Sequence, residues 1–206
     1  LAAAAEPQMP VHRLSQGVDE LVERRRHYLV GYQNDACARR FANLVERARR
    51  AERSFAADSS RFAEAVARGW FRLLARKDPY EVARLYTDGE FERALRATFD
   101  GDYRLCFHLA LPQWGRVDSD TGEPRKHRYG AWMMPVLRVL ARLKFLRDTP
   151  LDPFGYGAER RLERALIADY ESTVGTLLAR LERGNLHVAA EIARLPESIR
   201  GFGPIR

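Results

Sequence analysis

The chain has 206 residues, of which 46% are hydrophobic and 31% charged, with a net charge of +7 and a pI near 9.8. That is enough chain to enclose a core, as one large domain or two small ones. No run approaches the roughly 20 apolar residues of a membrane-spanning helix, and two cysteines, Cys37 and Cys106, are too few for a structural zinc site or an iron–sulfur cluster.

Both cysteines lie in apolar segments and read as buried free thiols of a reducing cytoplasm. Of 35 basic residues only Lys77, Lys126 and Lys144 are lysine. Arginine forks grip phosphate oxygens in pairs, but a biased genome leaves the same signature. The excess is uneven. Leu21 to Arg53 carries nine arginines against four acids, and Arg125 to Arg147 carries seven basic residues and no acid.

Residues 1–17 contain Pro7 and Pro10 without periodicity and read as an arm or linker. Leu1 and the four alanines after it lack the basic start of a signal peptide and read as the cut edge of a longer protein. From Val18 the apolar spacing turns helical through Leu21, Val22, Leu29, Tyr32 and Ala36, then drifts to Phe41, Leu44 and Ala48. One curved helix, or two meeting near Gly31 to Asp35, accounts for that drift. Ser59 or Ser60 is placed to cap a helix through Phe62, Val66, Trp70, Leu73 and Leu74. Asp78-Pro79 then caps and opens a short helix with Val82, Leu85 and Tyr86, and another starts at Asp88 with Phe91, Leu95 and Phe99.

The period then changes to two: Tyr103, Leu105, Phe107, Leu109 and Leu111 alternate with Arg104, Cys106, His108 and Ala110 as in a strand. Asp118 to Gly122 supplies a turn, and Arg125 to Tyr129 a returning strand. Ala131 to Leu146 is apolar nearly all round, save a stripe at Arg138 and Arg142, and is expected at the centre of the core. Pro150, Pro153 and Gly155 forbid a helix in the next stretch, where Leu151, Phe154 and Tyr156 are expected to wedge between helices. A helix follows with Leu162, Leu166, Tyr170, Thr173, Leu177 and Leu181, ended by Gly184-Asn185, and a last one carries Leu186, Ala189, Ala190 and Ala193. Ser198 to Arg206 is expected to trail along the surface. The fold class is therefore mostly α: a multi-helix domain over 18–206 with a small β-hairpin inserted around residues 103–129.

No catalytic constellation is readable. His108 and His127 flank the proposed turn without metal-ligand spacing, and read as solvent-facing or hydrogen-bonded histidines. Asp100-Gly101-Asp102 opens like a diphosphate–magnesium motif, but the asparagine needed further on is missing, which leaves a turn. Gly155-x-Gly157 before a helix is a weak phosphate signal. Arg125, Lys126 and Arg128, beside Tyr129 and Trp132 and with Arg138 and Arg142 following, form a candidate anion or partner patch. Charge guarding a hairpin edge explains the same residues.

Several blocks carry a resemblance: Tyr32-Gln33, the run from Lys77 to Asp88, that from Asp102 to Ala110, Leu151-Asp-Pro-Phe-Gly-Tyr156 with Glu159 to Ile167, and Ile199-Arg-Gly-Phe-Gly203. In this order, and from about Val18 to the end, they resemble the C-terminal domain of the large fused indolepyruvate (2-oxoacid) ferredoxin oxidoreductases of bacteria. The resemblance implies a cytoplasmic, homo-oligomeric parent enzyme that decarboxylates an arylpyruvate on magnesium and thiamine diphosphate. That parent passes electrons through iron–sulfur clusters to ferredoxin and releases an acyl-CoA. The cysteine ladder and the diphosphate motif are not in this sequence, so no catalytic, cofactor-binding or metal-binding position carries over. The segment is expected to be an accessory domain that docks on the catalytic domains of the same enzyme through Phe154, Tyr156, Arg160 and Phe202. A basic surface that attracts ferredoxin or the phosphates of CoA is the alternative, and nucleic-acid binding is favoured by charge alone.

Overall fold

A computed structural model describes residues 17–101, 103–109 and 127–199. The expected arm at residues 1–17 falls outside them but for Gly17, as do the expected turn at Asp118 to Gly122 and the trailing segment beyond Ile199. Eight α-helices and one antiparallel strand pair make up the described residues, a mostly α fold with a small hairpin. They divide into two compact units, a bundle from residues 17–77 and 145–199 and a unit from the described residues between 78 and 144, each with its own core.

The bundle starts with α1 (Val18–Tyr32) and α2 (Asp35–Arg53), so the drift in periodicity marks two helices rather than one. Asn34 breaks them with an extended backbone, and its side chain accepts from the Cys37 N–H at 2.9 Å to cap α2. Next comes α3 (Arg61–Leu74), the most buried element, with Phe62, Val66, Trp70 and Leu73 in the core. The Ser59 hydroxyl oxygen accepts from the Arg61 N–H at a long 3.4 Å, and the Ser60 side chain makes no cap bond. The carboxylate of Glu52, fully buried in the last turn of α2, accepts from the N–H groups of Phe62 at 3.1 Å and Ala63 at 3.0 Å. Ser59 also donates its hydroxyl to the same carboxylate at 2.6 Å, and so joins the two parts of the cap. An anion at the positive end of α3 answers two orphan donors at once.

The bundle closes with α7 (Ala158–Ala179) and α8 (Leu186–Arg194). Ala63, Ala67 and Gly69 on α3 and Ala189, Ala190 and Ala193 on α8 are buried small residues, which let the two backbones come close. Tyr170 of α7 stacks on Trp70 and donates its hydroxyl to the Ala193 carbonyl at 2.8 Å. Helix α7 buries Glu163, Tyr170 and Val174, leaving Leu162 exposed, and it ends five residues before Gly184. Asn185 closes that turn by accepting from the Glu182 N–H and donating to the Arg180 carbonyl.

In the other unit, α4 (Pro79–Thr87) starts as expected, with the Asp78 carboxylate accepting from the Glu81 N–H at 2.8 Å. After Gly89, whose φ of 89° suits glycine, α5 (Glu90–Thr98) buries no residue. Strands β1 (Phe107–Leu109) and β2 (His127–Tyr129) pair antiparallel, Phe107 opposite Tyr129. Helix α6 (Met133–Arg142) buries Met133, Met134 and Leu137 beside Ala83 and Phe107. Val136 and Val139 are exposed, so α6 covers its unit with one face and is not wrapped by core. The thiol expectation also changes: Cys37 is half-buried and Cys106 exposed.

Candidate functional site

The proline-rich connection from Asp148 to Gly157 is held from below by one carboxylate. Asp152, buried although surrounded by exposed residues, accepts from the Asp148 N–H at 3.1 Å and the Phe154 N–H at 3.0 Å. A Cβ on Gly155 would press on Asp152 at 3.2 Å, and Arg164 donates to the Gly155 carbonyl at 2.9 Å. Asp148 takes a left-handed φ of 61°, uncommon for a residue with a side chain but tolerated by aspartate. The Tyr156 hydroxyl donates to the Pro150 carbonyl.

This scaffold turns its apolar side chains outward. Leu151 is 76% exposed and Tyr156 67%, while Phe154 is half-buried. The expected wedge between helices is therefore overturned for Leu151 and Tyr156, because the interior position is taken by the polar network of Asp152. Leu162, one turn into α7, is exposed as well. Arg160, in the first turn of α7, pairs with the buried Glu163 at 2.6 Å.

Beneath the connection, and within the bundle, lies a cavity of about 290 Å³. Arg76, only 3% exposed, donates from Nη2 to Asp148 at 2.6 Å, and its Nη1 lies 3.6 Å from Glu163. Burial pulls this guanidinium down, but the bond to Asp148 and the fields of Tyr32, Asp148 and Glu163 outweigh it and leave the pKa above its ordinary value. Arg147 packs its guanidinium 3.9 Å from the centre of the Tyr32 ring and donates to the Tyr32 carbonyl at 2.6 Å and the Gln33 side chain at 2.5 Å. The Tyr32 hydroxyl accepts in turn from the Arg76 N–H at 3.2 Å. At the rim, Arg40 forms a two-pronged pair with Glu171 at 2.7 and 2.8 Å, which raises its pKa. Cys37 lines the wall, and burial pushes its thiol up.

The network joins segments distant in sequence: α1, the end of α3 and the proline connection. The chain belongs to a family of unknown function, DUF6537. The match covers residues 18–206. No curated protein and no solved structure matches the chain.

Of the residues singled out in the sequence, Arg125, Lys126 and Phe202 lie outside the described residues. Arg128 is exposed on β2 and donates to the Cys106 Sγ at 3.2 Å, and Arg138 pairs with Glu92 at 3.2 Å. Arg142 is exposed in the last turn of α6. Two described members of the patch thus already have partners, one of them an acid. Among the described residues no group of three or more His, Cys, Asp or Glu side chains is placed to hold a metal. Sequence reasoning missed Arg76, Arg147 and Gln33 as a group. Arg76 immediately precedes the run from Lys77 to Asp88, and Gln33 sits in the Tyr32-Gln33 block, so both lay beside signals that had been noticed.

Proposed function

We propose that this chain is an accessory docking domain of an indolepyruvate or related 2-oxoacid ferredoxin oxidoreductase, and not itself the catalytic part. The observation that supports this reading is the rigidly held connection that presents Leu151 and Tyr156 to solvent, with Leu162 beside it in sequence. Loops that are exposed only because they are loose do not spend a buried carboxylate on their own geometry. A loop fixed in advance loses little entropy on binding. Burying each of these side chains on a partner contributes roughly 1.5–3 kcal/mol. The occupant that the resemblance implies is the catalytic domain of the same enzyme, whose thiamine diphosphate, magnesium and iron–sulfur clusters would be held outside this segment.

The test uses the whole polypeptide that carries this chain, with Leu151→Asp and Tyr156→Asp introduced together. Arylpyruvate-dependent reduction of ferredoxin and the size of the assembly are measured beside the thermal unfolding of the isolated chain. The expected outcome is loss of assembly and activity with unchanged unfolding. Full assembly and activity in the double variant would overturn the docking role, and an unmodified polypeptide inert towards every arylpyruvate would overturn the enzyme assignment.

A further inference from the structure

The cavity beneath the connection has a chemistry that the docking role does not use. Three arginines line it, Arg40, Arg76 and Arg147, with Asp148 the one carboxylate among the lining residues, while Glu171 pairs with Arg40 and Glu163 lies 3.6 Å from Arg76. Arg76 is the decisive one. Its Nη2 is satisfied by Asp148, but its Nε and Nη1 are buried and have no hydrogen-bond acceptor among the described residues. Glu163 approaches Nη1 at 3.6 Å, which supplies charge and no hydrogen bond. A guanidinium carries five donors in a fixed fork, and a buried donor left without an acceptor forfeits its hydration with nothing in return. Such groups in folded proteins call for an explanation, and a bound oxyanion is one.

The rest of the wall decides what kind of anion. Tyr32, Ala36, Leu74 and Ile167 give it an apolar side. The volume of about 290 Å³ is roughly ten times the ~30 Å³ share of a water molecule, room for a ring-sized body rather than an inorganic ion alone. The first turn of α2 also reaches the cavity at Ala36 and Cys37, and adds the positive end of a 19-residue helix to the field, although Asn34 already caps the Cys37 N–H. Exposure falls from rim to floor: the Arg40 and Asp148 side chains are half-exposed, whereas Arg76 and Arg147 are buried. An acid entering head first meets cations, and its body then meets hydrocarbon.

We infer that this cavity binds a small organic carboxylate with an apolar body, held by Arg76 and Arg40 and flanked by Tyr32, Leu74 and Ile167. Arg76→Gln takes from Asp148 its closest cation and is a poor probe, so the test works from the rim. The 206-residue chain is titrated by calorimetry with benzoate and, separately, with inorganic phosphate. Alkylation of Cys37 by N-ethylmaleimide is followed in a Cys106→Ser background. Benzoate is expected to saturate one site and, at about ten times its Kd, to slow the alkylation about tenfold by mass action. Arg40→Gln should weaken binding about tenfold, equivalent to one lost charge-assisted contact. Ala36→Phe, on an exposed position at the cavity wall, should abolish it while thermal unfolding stays unchanged. Phosphate binding without benzoate binding would overturn the ligand class. No binding of either ligand, or benzoate binding that leaves Cys37 unprotected and ignores both variants, would overturn the site. None of these results depends on whether the connection above docks.

Discussion

Gly69→Ala is the sharpest perturbation of the bundle. Elsewhere in a helix this change stabilises by about 1 kcal/mol, because alanine restricts the unfolded chain. At position 69 an added Cβ would lie 2.6 Å from the Tyr170 hydroxyl and closer still to the Ala193 carbonyl oxygen. Alanine side chains do not tolerate such distances, and one obstacle is backbone that cannot swing aside. Helix α8 must move off α3, at the cost of about 1–3 kcal/mol typical of overpacking. The same movement breaks the buried bond from Tyr170 to Ala193, worth about 1–2 kcal/mol. Set against the helical gain, the net is a destabilisation between about 1 and 4 kcal/mol. Gly175→Ala is the control, since nothing lies within 4 Å of its added Cβ in α7, and it should stabilise by about 0.5–1 kcal/mol. Urea unfolding followed by circular dichroism measures both. If the two variants shift the midpoint in the same direction, the close approach of α3 and α8 is wrong.

Glu52→Ala leaves the N–H groups of Phe62 and Ala63 buried without acceptors and should lower stability by roughly 2–5 kcal/mol in the same assay, whereas a loss under 1 kcal/mol would mean that Glu52 does not cap α3. Burial, with a smaller push from Glu197, raises the Tyr170 phenol above its ordinary value of 10.0. The unfolded chain releases that proton first, so this contribution is complete below pH 10 and falls as pH rises further. Tyr170→Phe should therefore cost about 1–2 kcal/mol at pH 7, with the deficit narrowing at about pH 10.5; a deficit equal at both would show that the phenol is not held protonated. Asp152→Ala frees the N–H groups of Asp148 and Phe154 and should speed their amide hydrogen exchange, leaving that of α3 as it was.

The helices were legible because their signals are local. Asp78-Pro79 is a cap and a first-turn proline side by side, and it starts α4 where it should. The larger part of the α3 cap was not legible, because Glu52 belongs to the preceding helix and nothing in its spacing announces a partner ten residues on. Apolar residues at Leu151 and Tyr156 suggest burial when read alone. The buried side chain of that stretch is instead that of Asp152, which two backbone N–H groups stabilise inside. The arginine patch was chosen for density of charge along the chain, a quantity that ignores acids arriving from elsewhere, as Glu92 does at Arg138. The cavity stayed hidden for the same reason: Arg76 and Arg147 are ordinary single arginines until the fold brings them to the ends of one tyrosine.

The placement of residues 78–144 between the two halves of the bundle has a consequence for synthesis. Helix α3 is the most buried element, yet α7 and α8, which cover one side of it, leave the ribosome more than eighty residues later. Until then the face of α3 around Gly69 lacks Tyr170 and Ala193, which close over it in the folded bundle. A nascent chain in this state presents an open apolar surface while a whole separate unit is translated, a condition that favours capture by chaperones or by other nascent copies. Truncation before α7 would therefore yield aggregates rather than a smaller folded bundle, although the unit of residues 78–144 has all its own core residues by the time Lys144 is added.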